Sequence, residues 1–109
     1  METKSLFIEF MGDSAMIRTL DYLLTERELD FSITDMAENA GIGRATLYRI
    51  WDNLIDNEII AHTRDIGKAK LYKLNKDNIK IKKLMEIDDA LILEELKKRS
   101  ESQRAKVMA

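Results

Sequence analysis

Arg44, Thr46, Tyr48 and Arg49 fall within six residues, directly after the glycine pair of Gly41-Ile42-Gly43. Two chemistries suit such a cluster. A glycine loop that opens a helix can cradle phosphates with its backbone N–H groups. A glycine turn can instead aim a helix at duplex DNA. Its arginines then donate paired hydrogen bonds to guanine, and threonine or tyrosine reaches phosphates or thymine methyls. Spacing argues against the first reading. A dinucleotide fingerprint needs a third glycine where Thr46 stands and a strand before the loop, yet the residues before Gly41 have helical periodicity. The phosphate-loop pattern also fails, because Gly67-Lys68 is followed by Ala69.

Other reactive groups are sparse. The chain has no cysteine, which excludes disulfides, thiolate metal sites and thiol nucleophiles and suits a reducing cytoplasm. His62 is the single histidine and has no neighbour with which to hold a metal. Glu86, Asp88, Asp89, Glu94 and Glu95 alternate with Lys82, Lys83, Lys97 and Lys98, which reads as a solvated helix face. The expectation is no enzyme, no metal and no cofactor.

The net charge of -2 hides an uneven distribution. Residues 1–40 carry three basic and nine acidic side chains, whereas residues 41–76 carry seven basic and four acidic. A binding face depends on where charge lies more than on its sum. At 109 residues the chain makes one domain. No apolar run approaches the roughly 20 residues that span a bilayer, and Glu2 and Glu9 bracket too short an apolar patch for a signal peptide.

Several elements must position the cluster. Leu6, Phe7, Phe10 and Met11 have the spacing of a short helix, with a strand as the alternative. Gly12 closes it, and Asp13 or Ser14 caps a second helix, with Met16, Ile17, Leu20, Leu23 and Leu24 on one face, running to about Thr25. Glu26 to Phe31 reads as a connector. Ser32 and Asp35 form a capping-box variant before a short helix with Ile33, Met36, Ala37 and Ala40 on one side, ended by Gly41. The next helix opens at Arg44 and has the buried stripe Leu47, Ile50, Trp51 and Leu54. That stripe turns Ala45 and Arg49 outward, with Arg44, Thr46 and Tyr48 on their flanks. Ile59–Thr63 and Ala69–Leu74 are β-leaning runs joined through Arg64 to Lys68, a hairpin. Asn75 or Asp77 caps a last helix, and beyond Lys97 the apolar stripe is lost, predicting a frayed tail.

A short helix, a glycine turn and a second helix make a helix-turn-helix unit. The stretch "ITDMAENAGIGRATLYRIWDNLIDNEII", followed by "AHTRDIGKAKLYKLN", resembles winged helix-turn-helix regulators of the MarR/ArsR type, particularly compact archaeal versions. Thr46-Leu47, Arg49, Trp51, Leu54 and Ile59-Ile60 stand at the matching places, and the likeness covers about residues 14–75. Two positions depart from the pattern: Gly43 where serine is common, and Glu58 where glycine is usual.

The resemblance implies an α+β, mostly α fold with a β-hairpin wing, and a homodimeric transcriptional regulator that binds double-stranded DNA. Its recognition helix would start at Arg44 and use Arg44, Ala45, Thr46, Tyr48 and Arg49. Arg64, Lys68 and Lys70 would sit on a wing against the DNA backbone. Asp52 and Asp56 would repel phosphates, although Asp52 can pair with Arg49 at i, i+3. The winged unit would span residues 1–76. Residues 77–109 would form a C-terminal helix of the same domain, folded over its own core or paired between subunits. Pairing is favoured, through Leu6, Phe7, Phe10, Ile81, Leu84, Met85, Leu91, Ile92 and Leu96. A two-fold dimer would suit a near-palindromic operator with half-sites roughly 34 Å apart. The alternative is a winged-helix protein-interaction module without DNA binding.

Overall fold

A computed structural model describes residues 4–108. Its order is α1 (Leu6–Met11), α2 (Ala15–Thr25), β1 (Asp30–Phe31), α3 (Ile33–Ala40), α4 (Arg44–Asp56), β2 (Ile60–Ile66), β3 (Ala69–Leu74) and α5 (Ile79–Met108). This is a winged helix: mostly helical, with a small antiparallel sheet and a long final helix. None of the described helices is long and apolar enough to cross a membrane.

Serines start the first three helices. The Ser5, Ser14 and Ser32 hydroxyls accept the backbone N–H of Ile8, Ile17 and Asp35, each at 3.1 Å. Each hydroxyl satisfies a donor that the helix itself leaves unpaired. The cap at Ser5 makes α1 a helix and sinks Phe7 into the core. Leu20, Leu23 and Leu24 of α2, Met36 and Ala37 of α3, and Leu47 and Leu54 of α4 meet there, with Phe31, Ile60, Leu74 and Ile81 closing the sides.

The three strands lie in the order β1-β3-β2, both pairings antiparallel. The expected connector between α2 and α3 therefore contains a strand, in which Asp30 pairs with Lys73 and Phe31 with Tyr72. The hairpin strands are also longer at β2 than the apolar pattern suggested, running to Ile66 and turning at Gly67, whose φ of 61° suits a residue without Cβ. A bulge between His62 and Arg64 leaves Thr63 without a partner residue on β3.

Two further expectations change at the C-terminal end. The cap of α5 is Asn78, whose side-chain oxygen accepts the Lys80 N–H at 2.9 Å. The tail does not fray after Lys97; α5 is one helix of 30 residues, and Ala109 alone of that tail lies outside the described residues. The acidic run on α5 is not wholly solvated either. Asp88 is buried, and Arg27 donates to Asp88 at 3.1 Å and to Asp89 at 2.8 Å, clamping α5 to the end of α2. Burial pushes the Asp88 carboxyl above the usual carboxylate range, against the pull of Arg27.

Candidate nucleic-acid interface

The corner between α3 and α4 is built by Gly41, which stands in the left-handed region at φ 70° and ψ 34°. A side chain there would be strained, so glycine is the residue that lets α3 end in so tight a turn. The corner is also held from behind. Arg18 of α2 donates to the Gly41 carbonyl at 3.3 Å while its guanidinium grips Asp13 through two hydrogen bonds of 2.7 and 2.9 Å. Arg18 foremost, with Lys4 at 3.3 Å, holds the Asp13 carboxyl well below the usual carboxylate range. Gly43 caps α4 without a side-chain hydrogen bond, as its place in the resemblance foretold.

With Leu47 and Leu54 buried, the phase of α4 is fixed. Arg44, Ala45, Tyr48 and Arg49 are exposed, and Thr46 is half-buried. Ile50 and Trp51 lie half-buried against the core. Arg44 donates to the Tyr48 hydroxyl at 3.3 Å, with its guanidinium carbon 5.9 Å from the centre of the Tyr48 ring. That contact extends both side chains along the outer face of the helix. The Arg49–Asp52 pair does not form among the described residues, so Arg49 projects without an ionic partner.

The wing reaches α4 through aromatic rings. Tyr72 of β3 meets Trp51 edge-on at 4.8 Å, and His62 of β2 meets Tyr72 at 5.6 Å. Such pairs prefer this edge-to-face geometry. They hold the hairpin beside the helix and leave an open cleft of about 380 Å³ between them. Arg44 and Tyr48 line one wall and Lys68 and Lys70 the other, with Ser32 and Thr34 at the start of α3 closing the end. Those last two were absent from the sequence-based site. Their only signal was the serine cap, which placed a helix start there without saying what faced it.

Arg64 is positioned differently from its expected place at the wing tip. It lies inside β2, and its guanidinium donates to both carboxylate oxygens of Asp30, at 3.0 and 3.3 Å. Thr63, freed by the bulge, donates to the same carboxylate at 2.7 Å. Arg64 foremost, then Thr63, lowers the Asp30 pKa. The pair braces the root of the wing against β1 and gives Arg64 a carboxylate partner within the chain.

The expected subunit contacts also separate into groups. Phe7 and Ile81 are each 1% exposed and belong to the chain's own core, so they are not available to a partner. Leu84, Met85 and Leu91 are half-buried against that core. Leu6 is half-buried, whereas Phe10, Ile92 and Leu96 face outward.

No family model and no curated protein matches the sequence. Solved structures do. The chain is similar to MepR, a transcription regulator of the Staphylococcus aureus multidrug efflux pump MepA, with 19% identity and a TM-score of 0.60 over 93% of this chain and 78% of that one. It is similar to AntR, an antimony-specific transcriptional repressor, with 18% identity and a TM-score of 0.57 over 84% and 78% of the two chains. Sso10a-2, a DNA-binding protein from Sulfolobus solfataricus, shares 14% identity and a TM-score of 0.50 over 84% of this chain and 94% of that one. At these identities the likeness is one of architecture: a winged helix followed by a long terminal helix.

Proposed function

We propose that the chain binds double-stranded DNA as a homodimer and regulates transcription without catalysing a reaction. In this reading α4 enters the major groove with Arg44, Ala45, Thr46, Tyr48 and Arg49 toward the bases, and the wing sets Lys68 and Lys70 on flanking phosphates. Residues 1–76 form the DNA-binding part, and residues 77–109 carry the helix through which subunits pair. The observation that carries the proposal is the shared cleft. Arg44 and Tyr48 on the exposed face of α4 and Lys68 and Lys70 of the wing line one cleft, and Arg49 is exposed on the same helix. The regulatory roles of the structurally similar MepR and AntR favour the same role for this chain.

A labelled random duplex, titrated at about 50 mM and about 200 mM salt, tests it, because displaced counterions make phosphate binding fall steeply with salt. Tight binding at low salt and a strong loss at high salt are expected. Absence of binding at low salt, both to random duplex and to genomic fragments, would overturn the reading in favour of an interaction module. At a preferred site Arg49→Ala costs about 1–3 kcal/mol and relaxes base preference, while Lys68→Ala weakens every sequence alike.

A further inference from the structure

We infer that the tip of the wing enters the DNA minor groove and reads it through Ile66, an apolar contact that favours A·T over G·C pairs. This rests on the duplex binding proposed above and adds a specificity residue outside the cleft. The hairpin has two unlike sides. On one, His62 meets Tyr72 and Tyr72 meets Trp51 of α4. Side chains alternate along a strand, so unbroken pairing would set Arg64 and Ile66 on that side with His62. The bulge at Thr63 puts two residues of β2 against one of β3 and exchanges the sides beyond it. Asp65 thereby joins its partner Lys70 on the α4 side, while Arg64 and Ile66 turn to the far side. Arg64 is tied there to Asp30, and Ile66, the last residue of β2, is left 57% exposed.

A lone exposed isoleucine is ordinary on a protein surface. Its setting is what gives this one a partner. Ile66 pairs with Ala69 across a two-residue turn of Gly67 and Lys68. Apart from its chain neighbours, no described atom lies within 4 Å of where a Gly67 Cβ would stand, so the tip stands clear of the body. Lys68 and Lys70 line the cleft with Arg44 and Tyr48. With α4 in the major groove, that cleft receives the phosphate strand bordering it, and across this strand lies the minor groove. The groove, about 6 Å wide, admits the end of so short a turn. Of residues 65–69 only Lys68 is basic, and none carries an amide side chain. Asp65 is occupied by His62, whose Nε2 stands 2.6 Å from its carboxylate. Ile66 is thus the side chain the tip has to offer the bases, and branched apolar residues serve in that place in minor-groove binding.

The preference follows from the groove floor. A·T and T·A pairs show only acceptors there, whereas guanine adds its N2 amino group, which projects into the groove. An isoleucine over a G·C pair meets that group and buries its N–H without an acceptor, which costs free energy. A·T runs also narrow the groove, bringing both walls against the side chain and strengthening the potential that attracts Lys68. Because the Ile66 contact is apolar, its preference persists as salt rises, unlike one made by a cation.

The test uses the duplex that the chain prefers among genomic fragments, with the pairs flanking the α4 contact set to A·T, G·C or inosine·C. Inosine keeps guanine's major-groove edge and lacks the N2 amino group. The expected result is similar binding of the A·T and inosine·C duplexes, and binding of the G·C duplex weaker by on the order of tenfold. That ratio should hold between about 50 mM and about 200 mM salt, although every affinity falls. Ile66→Ser should bind all three alike, and because Ile66 is exposed its urea unfolding should match that of the unaltered chain. Ile66→Val should keep the preference. Inosine·C bound as weakly as G·C places the reading in the major groove and overturns the inference while leaving duplex binding intact. So does an unaltered chain indifferent to the three flanks, or an Ile66→Ser variant that keeps the full preference. A chain that binds no duplex at low salt removes the proposed function and this inference together.

Discussion

The helices α4 and α5 are both of mixed polarity, and they dispose of their apolar residues in opposite ways. Across 13 residues α4 sinks Leu47 and Leu54 completely and lays Ile50 and Trp51 against the same core. Across 30 residues α5 buries Ile81 and Asp88 among its described side chains, and leaves Ile92, Leu93 and Leu96 outside. The first is finished by its own chain, so its polar side is free for a ligand. The second has a packed beginning, and its end is exposed along all its described side chains past Leu96. Exposed apolar residues thus mean different things in the two helices: Tyr48 on α4 stands among arginines and lysines, whereas Leu93 on α5 stands among other apolar side chains.

The largest expected effect that sharpens this contrast is at Leu54. Leu54→Ala opens a cavity in the closed core and should lower unfolding free energy by about 2–5 kcal/mol in a urea titration. A loss under about 1 kcal/mol would mean that α4 is less committed to its own chain than its burial indicates. Next is Glu58, a residue at φ 53° just past α4, where an L side chain is strained. Glu58→Gly relieves that strain but loosens the unfolded chain, for a net gain of about 0.5–1 kcal/mol in the same titration. At Leu93, by contrast, replacement by alanine should change the folding stability of dilute, unpaired chain by no more than about 0.5 kcal/mol. The same substitution should lower the tendency to dimerise, read by sedimentation. The smallest effect is a slope. Because Asp13 is held well below its ordinary range by Arg18 and Lys4, its contribution is present above the ordinary carboxylate value and fades as pH falls through the depressed one. Asp13→Asn should flatten the acid side of the stability profile, and an unchanged slope would show that the brace behind Gly41 adds nothing to stability.

How much of this was legible follows the range of the interactions. The outward residues of α4 could be read from the chain because Leu47 and Leu54 fix its phase, and the turn because Gly41 is suited to a left-handed corner. The start of α1 rested on one serine hydroxyl, too local a signal to separate helix from strand by apolar spacing alone. β1 was illegible, since two residues carry no periodicity. The bond from Arg64 to Asp30 spans 34 positions, and nothing near either residue announces it. The same holds for the cleft, whose walls come together only when Tyr72 meets Trp51. The continuation of α5 was missed because its last turns lack an apolar stripe, which is what a helix shows when its own chain does not cover it.

Asn78 has a consequence beyond capping. Its oxygen holds the first turn of α5, while its amide nitrogen donates to the carbonyls of Asn57 and Glu58, at 2.9 and 3.0 Å, where α4 ends. Asn75 adds a second bond to Glu58 at 3.0 Å. Together these bonds tie the first turn of α5 to the end of α4, so the place where the long helix starts is set by the helix that faces the cleft.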